Sequence, residues 1–208
     1  MLEFFGYASG ILMILSVIPY ARSILKGKTK PQRMTWLIWT ILILIAFFSQ
    51  LAKGGTWSLL LTAGDGIAVL ITFILSIKFG VEGFRKIDIL SLLGAGVSLI
   101  LWYFTKEPAI ALFLIILIDI IGANLTIIKT WRNPETENWI GWAICGVGGF
   151  FGILAVGSFN FILLSYPLYI CLINSIMAII ILSRRSYLLR RLLPYVGLMA
   201  ILINYIYN

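Results

Sequence analysis

The chain contains no histidine, which removes the commonest general base and the commonest metal ligand together. Its two cysteines, Cys145 and Cys171, both lie inside apolar stretches, so neither a disulfide framework nor a cysteine metal motif is available. Charge is scarce as well. Lys, Arg, Asp and Glu make up 12% of the 208 residues, about half the ~25% usual in a soluble domain. There is no nucleophile–base–orienter set and no phosphate-binding glycine loop. Catalysis, a metal and a cofactor are therefore not expected. The N-terminal segment carries Glu3 where a secretory signal would be basic, and no small-residue cleavage site follows, so it is not read as a cleavable signal.

What the chain does have is apolar surface. Apolar residues make up 61% and mean hydropathy is +1.05, so the class is a membrane protein and its first partner is the lipid bilayer. The net charge of +8 does not point to nucleic acid, because the basic residues sit in short clusters between apolar spans. A crossing needs ~20 apolar residues, and seven such spans are predicted near 4–23, 35–53, 57–78, 87–104, 108–129, 138–156 and 160–183. Arg22, Lys26, Lys28, Lys30, Arg33, Lys78, Arg85, Lys86, Lys129, Arg132, Arg184, Arg185, Arg190 and Arg191 fall on one side of these spans, and only Lys53 and Lys106 fall on the other. This asymmetry predicts a multi-pass cell-membrane protein with its N-terminus outside and the basic loops cytoplasmic. The segment after Arg191 is short for a span and is broken by Pro194 and Gly197, so an interfacial helix is expected there.

The sequence also repeats itself. Residues 18–67 align without a gap on 121–170, with 15 identities in 50, among them Pro31/Pro134, Trp36/Trp139 and Trp39/Trp142. Proline and tryptophan are rare here, so these matches are not a by-product of composition. Three spans precede the linker span and three follow it, and the odd linker returns the second unit to the orientation of the first. The expected architecture is an all-α membrane protein with seven transmembrane helices in a 3+1+3 arrangement of parallel repeats. Residues 1–80 form the first repeat, 81–105 the linker helix, 106–185 the second repeat and 186–208 the basic, apolar C-terminal segment.

Four polar residues inside spans are candidates for function. Asp119 lies eleven residues beyond Pro108, ~16 Å deep at 1.5 Å per residue, where an ionised carboxylate is costly and is usually functional or paired. No Lys or Arg sits at that depth, which leaves protonation or hydrogen bonding to hold it. Asp65, between Gly64 and Gly66, is the second candidate, and the glycines would let a helix or a ligand approach closely. Asn124 and Asn174 are neutral hydrogen-bonding groups that serve a site and helix-to-helix bonding equally well. Gly141, Cys145 and Gly149, and likewise Gly148 and Gly152, recur at every fourth position and predict close helix packing. Trp36, Trp39, Trp139 and Trp142 follow the basic loops; interfacial anchoring is the simpler reading, and ring stacking at an inner gate is the other.

The 3+1+3 layout, the N-out direction, the stretch Ser16-Val17-Ile18-Pro19-Tyr20 followed by Ile24-Leu25-Lys26-Gly27-Lys28-Thr29, and the second-repeat stretch from Ile128 to Glu137 resemble the PQ-loop superfamily, and most of all a prokaryotic SWEET-like group. The resemblance covers the chain to about residue 183. It implies a transmembrane transporter of a small polar solute, sugar or amino-acid-like, working by alternating access with proton coupling left open. The alternative is a non-transporting receptor or scaffold on the same fold. It further implies a helix bend at Pro19-Tyr20, where the family has Pro-Gln, with Gly122-Ala123 at the equivalent place in the second repeat. Asn174 would take the pocket position of the third helix of a repeat, and Trp39 and Trp142 would be gate residues. Tyr166 and Tyr169, near the outer end of the seventh span, resemble pocket or gate aromatics, and interface-belt tyrosines are the simpler reading. Assembly with further copies of the chain is left open.

Overall fold

The computed structural model describes residues 1–81, 83 and 86–185. The C-terminal interfacial helix expected over 186–208 lies outside the described residues. Seven helices account for nearly all of the described chain: α1 (Leu2–Leu25), α2 (Arg33–Ala52), α3 (Leu59–Phe79), α4 (Lys86–Thr105), α5 (Pro108–Arg132), α6 (Trp139–Val156) and α7 (Phe161–Arg185). All seven are long and apolar enough to cross a membrane. Each boundary falls within three residues of the span read from the sequence, because the local chemistry punctuates the chain clearly. Pro108 occupies the first turn of α5, where its missing N–H costs nothing. Asn138 Oδ1 accepts from Gly141 N at 3.0 Å at the head of α6. Asn160 Oδ1 accepts from Ile162 N at 3.1 Å and Leu163 N at 3.2 Å at the head of α7. These caps satisfy N–H groups that have no intrahelical partner. Gly157 ends α6 with φ 73°, a left-handed conformation that suits glycine.

Large apolar side chains such as Leu90, Leu93 and Ile100 are exposed, whereas Ser9, Thr62, Ser76 and Ser98 are buried. This inside-out distribution is that of a bundle solvated by lipid, where polar side chains pay least when they face one another or their own backbone. α1 packs against α3 and α6, α6 against α7, α7 against α5, α5 against α2, and α2 against α3, so six helices close a ring. α4 lies outside it, against α5 and α2. Near the basic-loop end, Val81 N donates to Pro31 O at 2.9 Å and Arg33 N to Val81 O at 3.3 Å, which joins the 26–32 loop to the end of α3.

Small residues set the closeness of this packing. Ser9 Oγ donates to Gly148 O at 2.7 Å between α1 and α6. A Cβ placed on Gly149 would meet Cys171 N at 2.5 Å, and one on Gly64 would meet Gly10 O at 2.5 Å. Backbone cannot yield as a flexible side chain can. Gly64→Ala is therefore expected to destabilise the protein by roughly 1–3 kcal/mol, seen as a lower Tm of the detergent-solubilised protein. Gly96→Ala is the control, since nothing lies within 4 Å of a Cβ there; an equal Tm for the two variants would refute the close α1–α3 approach.

Candidate functional site

Inside the ring lies a cavity with about 100 Å³ open to the centres of water-sized molecules. At roughly 10–15 Å³ per water centre, it holds several waters or a compact ligand. Both intramembrane carboxylates line it, Asp65 from α3 and Asp119 from α5. Tyr169 Oη donates to Asp119 Oδ2 at 2.8 Å. The Trp39 indole also faces this carboxyl group, yet Asp119 Oδ1 is buried with no partner in hydrogen-bond geometry. Tyr166 lies beside Asp65, and its ring centroid is 6.3 Å from that of Tyr169. The two carboxylates, one from each half of the chain, thus share one chamber with two tyrosines of α7.

Asn174 also lines the cavity, with its amide Nδ2 donating one turn back to Ile170 O at 2.8 Å. Asn124 is half-buried and is not among the lining residues, so the structure does not bring it to this site. Cys145, which shares the four-residue spacing of Gly141 and Gly149, lines the cavity and also packs against the apolar core.

Toward the basic loops the cavity meets a layer of rings. Tyr20 and Trp36 are 5.3 Å apart, Trp36 and Trp39 4.9 Å, Trp39 and Trp142 6.3 Å, and Tyr20 and Trp142 6.4 Å between centroids. Interfacial anchoring, the simpler reading of these tryptophans, does not describe Trp36, Trp39 or Trp142, because all three line the interior. Beyond the rings a second chamber of about 50 Å³ reaches Lys129 and Glu137.

Glu137 lines this chamber. It is 3% exposed and pairs with Lys129 Nζ at 2.9 Å. Tyr20 Oη donates to its Oε2 at 3.0 Å, Trp142 Nε1 donates to the same oxygen at 3.3 Å, and Arg185 Nη2 donates to its backbone O at 2.8 Å. α1, α5, α6 and α7 are all tied by this one residue. Reading the sequence for intramembrane charges passes over it, because it lies just before α6. The available signal was a carboxylate where the first repeat has Met34.

The remaining gate candidates sit close by. Asn138 Nδ2 donates to Pro19 O at 3.2 Å, bridging α6 to α1. Gly122, at the position equivalent to Pro19, faces Trp39 across a gap of about 10 Å³, also bordered by Thr35, Asp88 and Asp119. Among the described residues no group of His, Cys, Asp and Glu could hold a metal ion. Toward the 105–107 loop the interior is filled: Met13, Ala46, Leu61 and Leu112 are fully or almost fully buried. Compared with known proteins, the chain matches no family model, no curated protein and no solved structure.

Proposed function

We propose that this chain is a SWEET-like transporter that carries a small polar solute across a membrane by alternating access between two three-helix units. The observation that carries this reading is the cavity itself, which takes Asp65 from one half of the chain and Asp119 from the other and lies within a ring of six of the seven helices able to cross a bilayer. The 3+1+3 division is supported by neighbour order. With α1, α2 and α3 matched to α5, α6 and α7, each packed pair in the ring has its counterpart: α1–α6 with α5–α2, α1–α3 with α5–α7, and α2–α3 with α6–α7. Residues 1–80 and 106–185 are the two units on this reading, and 81–105 is the linker.

The two unit interfaces differ in tightness. Asn138 reaches Pro19 O directly at 3.2 Å, whereas the equivalent pair, Thr35 and Gly122, borders a gap. Rocking that opens both interfaces at the basic-loop end while it closes the units at the 105–107 end, and the reverse, would exchange access between the two ends. Asp65, Asp119, Asn174 and Tyr169 form the binding site, and Pro19, Tyr20, Trp39, Gly122 and Trp142 the gate toward the basic loops. Asn124, which does not line the cavity, is left out of the binding site.

By the distribution of Lys and Arg, the N-terminus is outside and the basic loops are cytoplasmic. A single cysteine placed in the 26–32 loop, in a chain lacking Cys145 and Cys171, should resist a membrane-impermeant maleimide added to intact cells, while one at Lys106 should label. The reverse pattern would invert the orientation. The function itself is tested by screening a metabolite library for solutes that raise Tm by mass action, followed by their flux into proteoliposomes. A solute that binds but does not cross would make the chain a receptor.

A further inference from the structure

The composition of the cavity wall selects a ligand class. Resting on the reading of this cavity as the solute site, we propose that the solute is a small organic cation, an amine or quaternary ammonium without a carboxylate of its own. Four observations converge on it.

The first is charge. Asp65 and Asp119 both line the cavity, and no Lys or Arg is among its described lining residues. Negative charge at such depth must be compensated by a proton or by a cation from outside the protein. The second is what the wall cannot bind. An anion would face two carboxylates, and a zwitterionic amino acid would bring a carboxylate that finds no cationic side chain in the cavity.

The third concerns neutral polyols. A sugar needs a dense set of donors and acceptors, since each buried hydroxyl left unpaired is costly. Here three of the polar wall groups direct a donor to their own helices, which leaves fewer donors for a polyol: Ser16 Oγ donates to Met13 O at 2.6 Å, Thr72 Oγ1 to Ala68 O at 2.9 Å and Asn174 Nδ2 to Ile170 O at 2.8 Å. The fourth is the aromatic wall. Tyr20, Trp36, Trp39, Trp142, Tyr166 and Tyr169 line the same space as the carboxylates. Aromatic faces attract ammonium groups electrostatically, most strongly where water is excluded. With about 100 Å³ open to water-sized centres, the chamber suits a compact head rather than a long chain.

Matched pairs differing in charge test this directly. Purified protein is titrated with choline and with 3,3-dimethylbutan-1-ol, in which carbon replaces the ammonium nitrogen, and with butylammonium and butan-1-ol, in which hydroxyl replaces the ammonium; glucose and glycine complete the set. Binding is read as the rise in Tm and by calorimetry. At least one cation should bind at least tenfold more tightly than its neutral partner. Asp119→Asn should erase that preference, as should Asp65→Asn, which carries the test if the first variant fails to fold. No binding by either cation, a neutral isostere binding as well as its cation, tighter binding of glucose or glycine, or a cation preference that survives both substitutions would overturn the inference. The transport reading fails separately. A cation that binds with this preference but does not cross a proteoliposome membrane leaves the ligand class standing and removes transport. Glucose flux without any cation preference does the opposite.

Discussion

Asp119→Asn lowers flux of the bound solute at least tenfold and abolishes any proton movement that accompanies it, while the protein stays folded. Asn keeps the shape of Asp and still accepts from Tyr169 Oη, which sits 2.8 Å from the native carboxylate, so little packing is disturbed. What is lost is the negative charge and the ability to take up and release a proton. A hydrogen bond to a charged group contributes ~1.5–3 kcal/mol, and each ~1.4 kcal/mol is a factor of ten in affinity, so a loss of roughly ten- to a hundredfold is expected. The measurement is solute uptake with simultaneous recording of internal pH in proteoliposomes, wild type against variant at equal incorporation. A variant with undiminished flux would return Asp119 to a purely structural role. Unchanged proton movement alone would exclude coupling through this residue and leave its part in binding.

The second large effect is expected at Glu137. Its carboxylate receives Lys129, Tyr20 and Trp142, and it is 3% exposed. Breaking one side of a buried pair typically costs ~3–5 kcal/mol. Lys129 is 38% exposed on its side chain and can turn to water, so the lower end of that range is expected. Glu137→Gln removes the charge while retaining an acceptor, and it weakens the tie that holds α1, α5 and α6 together at the basic-loop end. Cys145 provides the readout, because it lines the main cavity on the far side of the ring layer. In a Cys171→Ser background, a water-soluble maleimide added from the basic-loop side should modify Cys145 slowly when Glu137 is present, and roughly tenfold faster or more in Glu137→Gln. If both proteins label at the same rate, Glu137 does not control access and its bonds only stabilise the fold.

The asymmetry between the two interfaces gives these experiments a common meaning. On the α1–α6 side, Asn138 and Glu137 fasten the ends of the helices. On the α2–α5 side, Thr35 and Gly122 border a gap that Asp119 also touches. Gly122 and Asp119 lie within one turn of α5 and border the same gap, so on the proposed reading a movement at Gly122 would be felt at Asp119. The exposed Lys53–Glu107 pair at 2.7 Å joins α2 to the start of α5 at the opposite end. Surface pairs of this kind contribute little, ~0–1 kcal/mol, so they do not lock that end.

The sequence alone determined the seven helices, their limits and the internal repeat. Length and hydropathy are local properties, and a membrane crossing needs a fixed number of apolar residues at a fixed rise, so Pro108, Asn138 and Gly157 could be read as boundaries before any contact was known. The depth of Asp119 followed from the same rise. Which way each side chain faces was decided only by the tertiary structure. A soluble helix advertises its buried side by polarity, but lipid and protein interior are both apolar, so a helix such as α5 or α6 carries almost no such mark. For that reason the sequence could not tell that Trp36, Trp39 and Trp142 turn inward, that Asn124 misses the cavity that Asp119 reaches, or that Tyr169, fifty residues away, holds Asp119. Glu137 is the extreme case. Its partners Tyr20, Lys129, Trp142 and Arg185 lie on four helices, and only the closure of the ring makes an ordinary loop carboxylate into the residue that joins them.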